Sequence, residues 1–526
     1  MTSPETQLPP ARLTELTAAL GAAAVETDPA IRARFAKDLF WEGDAPLAVL
    51  RPATPEAVLD TLRWSTRAGV AVLPRGGGVS YTAGYLLAGR PAVLLDLRGL
   101  NRIREIDTER RVVVAEAGVT WSQLAEALAP HGLRTPYWGP LSGLRATVGG
   151  TLSQNSVFYG SGQHGSAAES VLGLEVATAQ GEILRTGFGT SGPGFSRWGG
   201  PDLAGLFLGD NGALGVKLAA SLRLIEKPAA TEYASFAFDT LATMVAAQIT
   251  LARRGLGSEV FGIDAYKAKN SAQTGKKLAE AAQTALGVVK NSEGLLHGLR
   301  NVARMALSGT EALEAAAYSL HIALEDRDAA RAGAALREVR EVCLAAKGRE
   351  LDALVPRAMH ARPFPPLRSV LGGRGQRWVP VHGILSLADA PAAITAIEAH
   401  IRSRQEALLA AGIEYSPLLV NVSNGILFEP CFYWFDALTP LHLEAYGEGL
   451  DPSWRQRPDA PETRRVVAKL WEEVAALFTR FGATHFQLGR RYACRERLTP
   501  AAAALLAAVK RELDPQGLLN PGALGL

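Results

Sequence analysis

The 526-residue sequence predicts an α+β protein, and two observations carry that reading. From residue 46 to about 228, apolar runs of strand length alternate with helical segments and glycine-rich loops. After Pro228 glycine thins out, and helical segments alternate with strand-like runs. The length suits two or three domains. The expected division is 1–228, with a helical lead-in over 1–40, then 229–480, then a closing segment 481–526.

Residues 47–50 read as a strand, and Thr54-Pro55-Glu56 opens a helix, because threonine caps free amides and proline tolerates the first helical position. Val58, Leu59 and Leu62 continue at helical spacing, and 70–73 returns as a strand, giving a β-α-β order. Strands at 93–97 and 112–115 follow, and Thr120-Trp121-Ser122-Gln123 is a capping box opening a helix to about Leu128. Residues 171–178, 183–185 and 218–225 supply further strands. Beyond Pro228, helices at 241–254 and 329–347 alternate with strands at 318–323 and 378–387. The polar, lysine- and alanine-rich stretch 271–307 reads as an inserted helical pair or a mobile loop.

Charge and composition exclude several classes. The 55 Lys+Arg against 52 Asp+Glu leave a net charge of +3, which gives no electrostatic case for nucleic acid or an anionic membrane. Cys343, Cys431 and Cys494 form no CxxC, so neither a disulfide framework nor a zinc cluster is expected. No basic segment leads into an apolar one in the first thirty residues, and nowhere do eighteen apolar residues run together. The expectation is a cytoplasmic protein without a transmembrane segment, compatible with a homo-oligomer. Walker A, HExxH, GxSxG and EF-hand patterns are absent, which lowers phosphoryl transfer, zinc hydrolysis and serine hydrolysis.

The most informative loop is Pro74-Arg75-Gly76-Gly77-Gly78-Val79-Ser80, directly after a strand. Three glycines remove side chains and let consecutive backbone N–H groups converge on an anion such as a pyrophosphate; an ordinary glycine turn is the alternative. Two GxGxxG matches, at 160–165 and 187–192, lack the β-α-β context and read as accidents among 53 glycines.

Further along come Pro140-Leu141-Ser142, Thr147-Val148-Gly149-Gly150, Tyr159-Gly160, and Gly200-Pro201-Asp202-Leu203-Ala204-Gly205-Leu206-Phe207-Leu208-Gly209. Then follow Gly212-Ala213-Leu214-Gly215-Val216 and, near the end, Asp514-Pro515 through Asn520-Pro521-Gly522. Together with the first loop these resemble the vanillyl-alcohol oxidase and p-cresol methylhydroxylase (PCMH) flavoproteins. The resemblance implies a two-subdomain PCMH-type FAD-binding domain plus a cap domain with a largely antiparallel sheet covered by helices. It implies FAD, held by Pro74, Arg75, Gly76, Gly77, Gly78, Val79, Ser80, Pro140, Leu141, Ser142, Thr147, Gly149, Gly150, Ser153, Gly212, Leu214, Gly215 and Val216. Val79 and Trp378 stand where covalently flavinylated relatives carry a histidine, so noncovalent FAD is expected.

The resemblance also guides the substrate side. Where hydroxy-acid dehydrogenases of the family carry a metal-binding HxGDGN, this chain reads Val420-Asn421-Val422-Ser423-Asn424-Gly425, so no metal is expected. The next run, 426–435, holds Glu429 as its one charged side chain; with period two, Leu427, Glu429, Cys431 and Tyr433 share a face unless Pro430 marks a bulge. Alternation likewise pairs His485 with Gln487. His485 and His382 are the candidate bases, with Tyr433 and Glu429 orienting the substrate and Gln487 and Arg490 near it. Ser142 replaces an aspartate of the phenolic branch.

The function implied is FAD-dependent oxidation of an alcohol or 2-hydroxy acid by hydride transfer to flavin, with oxygen, a quinone or a redox protein as acceptor. The alternatives are a 4-hydroxybenzylic alcohol oxidase or dehydrogenase, and, of another class, an electron-transfer subunit or a non-redox flavoprotein resembling alkyl-dihydroxyacetonephosphate synthase.

Overall fold

A computed structural model describes residues 7–187, 194–274, 313, 315–447 and 450–526. Helices Pro10–Leu20 and Pro29–Phe35 lead into a four-stranded sheet ordered Val25–Glu26, Val49–Leu50, Ala92–Asp96, Ala71–Arg75. The last three strands are parallel, and the helix Pro55–Ala68 links Val49–Leu50 to Ala71–Arg75. Thr54 accepts from the Ala57 amide at its start, and Gly69 ends it in the left-handed conformation at φ 66°. Val58, Leu62 and Trp64 are the buried face of this helix.

A second sheet is antiparallel throughout, ordered Ile103–Asp107, Val112–Glu116, Val216–Arg223, Val171–Ala177, Ile183–Arg185. The capping box forms as read: Thr120 and Gln123 exchange hydrogen bonds at the start of Trp121–Leu128.

An eight-stranded antiparallel sheet makes up most of the remainder, in the order Arg349–Leu351, Ala230–Phe238, Tyr318–Asp326, Glu259–Asp264, Glu414–Val422, Gly425–Trp434, Arg377–Pro380. Gly383–Ser386 also pairs with Gly425–Trp434. Helices Leu241–Arg253, Ala329–Ala345, Ala390–Arg402 and Pro461–Arg480 bury their apolar faces with this sheet in one core. The α+β class and the helix-covered antiparallel sheet are therefore as expected.

Two readings need correction here. The run 378–387 is not one strand: it breaks at Val381 and His382, opposite Glu429 and Pro430. Pro430 has no N–H to give, its carbonyl accepts from Val381 N at 2.9 Å, and the Tyr492 hydroxyl takes the His382 amide at 2.8 Å. Residues 485–487 are no strand either. Gln487 sits at φ 49° and His485 turns away, so the alternation that paired them does not hold. The parity of 427–433, by contrast, is intact, because Leu418↔Glu429, Pro417↔Pro430 and Ser416↔Cys431 run without a register shift. Of the stretch 271–307, residues up to Thr274 end the helix Ala265–Thr274, and 275–307 lie outside the described residues, as do 188–192 of the second GxGxxG match.

Candidate active site

The strand Ala71–Arg75 ends beneath the loop 76–80, and here the chain opens a cleft. Lining it are Pro74, Arg75, Gly76, Gly77, Gly78, Val79, Ser80, Pro140, Ser142, Thr147, Gly149, Gly150, Ser153, Gly212, Gly215 and Val216. Gln487 reaches the same cleft from the C-terminal segment, its amide donating to the Gln154 carbonyl at 2.7 Å. Leu141 and Leu214 do not line the cleft; both pack into the apolar core beneath the second sheet.

Among the described residues, the amides of Gly76, Gly77, Gly78, Val79 and Ser80 donate to no protein acceptor. Five such donors in succession call for an anion, since unpaired amides at a half-buried site are costly. Glycine is required for a second reason. A Cβ on Gly76 would lie 2.3 Å from Thr147 Oγ1, and one on Gly77 would lie 2.0 Å from the Arg145 carbonyl oxygen. Thr147 in turn caps the helix Val148–Gln154 by accepting from Gly150 N.

The far wall is locked by contacts remote in sequence. Lys217 Nζ meets Asp210 Oδ1 at 2.5 Å with both side chains buried, and Asp210 accepts from Gly212 N, fixing the loop before Val216. Asn211 accepts from Gln154 Nε2 and donates to the Gly84 carbonyl, and Asn520 Nδ2 reaches the carbonyls of Gly84 and Asn211 at 2.9 and 2.6 Å. Arg490 spends all five of its donors on the carbonyls of Ala83, Gly84 and Pro521 and on Asn520 Oδ1. It therefore has no N–H left for a substrate, which corrects its expected place near one. Lys217, Asn211, Gln154 and Tyr81 are cleft residues the sequence did not single out.

Tyr81 joins this cleft to a second, mostly aromatic face. It packs with Val79, Trp378, Cys431 and Tyr433, its ring edge-on to Trp378 at 5.3 Å and to His382 at 5.9 Å. Glu429, from the same side of the strand as Cys431 and Tyr433, lies within electrostatic range of the Tyr81 and Tyr492 hydroxyls. Its side chain has no hydrogen-bond partner among the described residues. Burial pushes its carboxyl up to about 7, an effect that Lys267 partly offsets.

The two histidines are placed differently from one another. His382 is fully buried, stacks on Phe486 at 4.1 Å, and has neither ring nitrogen bonded. Burial, and secondarily the neighbouring His485, hold its pKa well below the usual value. His485 puts Nδ1 on the His382 carbonyl at 2.7 Å and stacks on Tyr492, and burial lowers it to about 4. Neither lines the cleft.

Glu259, Glu325 and His360 bring ligand-type atoms within 4.8 Å of one another. Their oxygens are already engaged: Glu325 takes the Arg134 fork, and Glu259 accepts from Gly160 N, Ser258 Oγ and His360 Nε2. This is an ion-pair network tying Leu133–Arg134 to the large sheet rather than an open metal site.

Residues 46–187 match the FAD binding domain family and 454–524 the C-terminal domain of FAD linked oxidases. The chain thus pairs an FAD binding domain with the C-terminal domain found in FAD linked oxidases. An FAD-linked oxidoreductase of Mycobacterium tuberculosis is 33% identical over 220 residues, 41% of this chain and 45% of that protein. The glycolate oxidase subunit GlcD of Bacillus subtilis is 31% identical over 211 residues, 39% and 44% of the two chains. The matched stretch thus spans less than half the length of either relative. A crystal structure of p-cresol methylhydroxylase with substrate bound superposes with a TM-score of 0.72, at 17% identity, over 98% of this chain and 96% of that one, so the fold is of the PCMH type. FAD is the cofactor of this flavoprotein, and the free amides at 76–80 fit its pyrophosphate.

Proposed function

We propose that this FAD-linked oxidoreductase oxidises the CH–OH group of a neutral, apolar or aromatic alcohol, with Glu429 as the base. The observation that carries the reading is a buried carboxyl with no hydrogen-bond partner among the described residues, outside the cleft lining itself but within electrostatic range of Cys431, Tyr433 and Tyr81, the last of which lines the FAD cleft. A base works best with a pKa near the working pH, which favours Glu429 at about 7 over His485 at about 4. Within this reading the phenolic hydroxyls of Tyr81, Tyr433 and Tyr492 orient the alcohol, and all three stay protonated because burial disfavours phenolate.

Bound FAD supplies the acceptor for the hydride. The loops at 76–80 and 147–150 would hold its pyrophosphate side, with Gln487 at the cleft edge. Glu429 takes the hydroxyl proton as the C–H bond breaks, leaving a carbonyl product and a protonated carboxyl that must release its proton before the next turnover. Aromatic walls keep water from the reacting carbon.

A neutral substrate follows from the same geometry, since a substrate carboxylate beside an ionised Glu429 would meet a like charge in a buried site. Anaerobic titration of the purified holoprotein tests it: benzylic alcohols are expected to bleach the flavin band, and glycolate and D-lactate to leave it unchanged. The reverse pattern would favour the hydroxy-acid reading suggested by the likeness to the glycolate oxidase subunit. The reading also holds FAD noncovalently, as Val79 and Trp378 offer no linking nucleophile. Acid precipitation should then leave all the flavin in the supernatant, and yellow pellets would overturn that part.

A further inference from the structure

Lys267 lies in the first turn of the helix Ala265–Thr274, immediately after the strand Glu259–Asp264. Its Nζ stands 3.5 Å from Cys431 Sγ, over the face that carries Glu429 and Tyr433. Among the described residues it makes no ion pair. The carboxylate beside it in sequence is occupied, for Asp264 Oδ1 accepts from Lys267 N at 3.0 Å and from Ser416 Oγ at 2.6 Å. The half-buried ammonium thus touches a thiol and closes a direct ion pair with neither of the two carboxyls its charge reaches, Asp264 and Glu429, and of these Asp264 already accepts two hydrogen bonds.

We infer that Lys267 is a positioning residue whose ammonium supplies the counter-charge that lets Glu429 exist as a carboxylate. The inference rests on the reading of Glu429 as the base. The groups facing Glu429 are Tyr81 from the glycine loop, Tyr492 from the C-terminal segment, Cys431 and Tyr433 from its own strand, and Lys267. Tyrosines and a thiol can only be neutral or negative, and His382 behind Tyr81 is held neutral by burial. Among the described residues Lys267 is thus the one cation acting on Glu429, and it does so through space rather than by a hydrogen bond. Its charge favours the ionised carboxyl without closing over it, which leaves the oxygen lone pairs open to a substrate hydroxyl. A direct ion pair would hold the carboxyl ionised more firmly but would weaken it as a base.

Infrared pH titration of the resting holoprotein reads the protonated carboxyl directly and needs no substrate. Burial also raises Asp38 to about 7, so the wild type should show the carboxylic-acid signal of two groups disappearing near neutrality, and the wild-type minus Glu429→Gln difference isolates the band of Glu429. Lys267→Met should move the midpoint upward by about one pH unit or more, roughly tenfold in proton affinity, and Lys267→Arg should restore it. Lys267→Gln serves the same purpose if the methionine variant is poorly folded. An unmoved midpoint in both neutral variants overturns the inference and leaves the base reading standing. A Glu429→Gln spectrum that loses no carboxylic-acid signal relative to wild type overturns it as well, since the signal remaining in the variant belongs to Asp38. Full alcohol turnover by Glu429→Gln would instead remove the base reading. A Lys267→Met protein that raises KM for an anionic substrate with no change in midpoint would make Lys267 a substrate anchor and overturn the inference.

Discussion

Glu429→Gln is expected to lower the rate of flavin reduction by an alcohol by about a hundredfold or more, the usual contribution of a positioned base. KM should change little, because glutamine preserves the shape of the side chain and Glu429 has no protein hydrogen bond to lose. In the wild type the rate should fall as pH drops below about 7 and level off above it, and the variant should lack that limb. Stability should move in the opposite sense to activity. The folded-state pKa is raised, so the native protein holds a proton that the unfolded chain releases near its ordinary value of 4.5, and stability declines as pH rises from there to about 7. The neutral glutamine escapes this penalty, on the order of 3 kcal/mol at pH 8. Stopped-flow reduction and thermal melts between pH 5 and 8 measure both. A variant as fast as wild type, or one whose added stability does not grow across that window, would show that Glu429 is not the base.

Glu429 also shows how far the sequence could be read. It stood out as the one charge in the apolar run 426–435, and the period-two parity that placed it with Cys431 and Tyr433 is local information. What was not local is its isolation: no sequence pattern tells that its neighbours across the site are Tyr81 and Tyr492, one 348 residues before and the other 63 after it. The glycine loop was legible because Gly76, Gly77 and Gly78 act through their own backbone, and the caps at Thr54 and Thr120 act within four residues. Lys217 was invisible because a lysine within a strand looks like a solvated side chain until Asp210 is seen beside it. His485 misled for a related reason. Period-two reading presumes extended backbone, and the left-handed Gln487, held by the Gln154 carbonyl, breaks it. Arg490 was drawn toward the substrate by its chemistry, whereas the carbonyls of 83, 84 and 521 that consume it belong to distant loops.

Gly77→Ala should yield protein purified without flavin. A methyl at this position meets the Arg145 carbonyl oxygen at 2.0 Å and its carbon at 2.8 Å, and both are backbone atoms that no rotamer change can move. Arg145 Nε already grips the Gly77 carbonyl at 2.7 Å, so the two loops face each other in fixed register and must separate to admit the side chain. Separation turns aside the amides of 76–80, whose value lies in pointing together. Losing two charge-assisted hydrogen bonds at about 1.5 kcal/mol each would weaken FAD by about a hundredfold. Fold should survive, since the loop is half-buried and the strand Ala71–Arg75 beneath it keeps its pairing with Ala92–Asp96. Gly89→Ala is the fitting control. Its φ of 74° imposes backbone strain of about 1 kcal/mol, yet its Cβ would meet nothing within 4 Å and it lies outside the cleft. The ratio of flavin to protein absorbance, with calorimetric titration of FAD into apoprotein, separates the two cases. Stoichiometric FAD in Gly77→Ala would mean that the pyrophosphate does not rest on this loop, because nothing else in the collision depends on what the cleft holds.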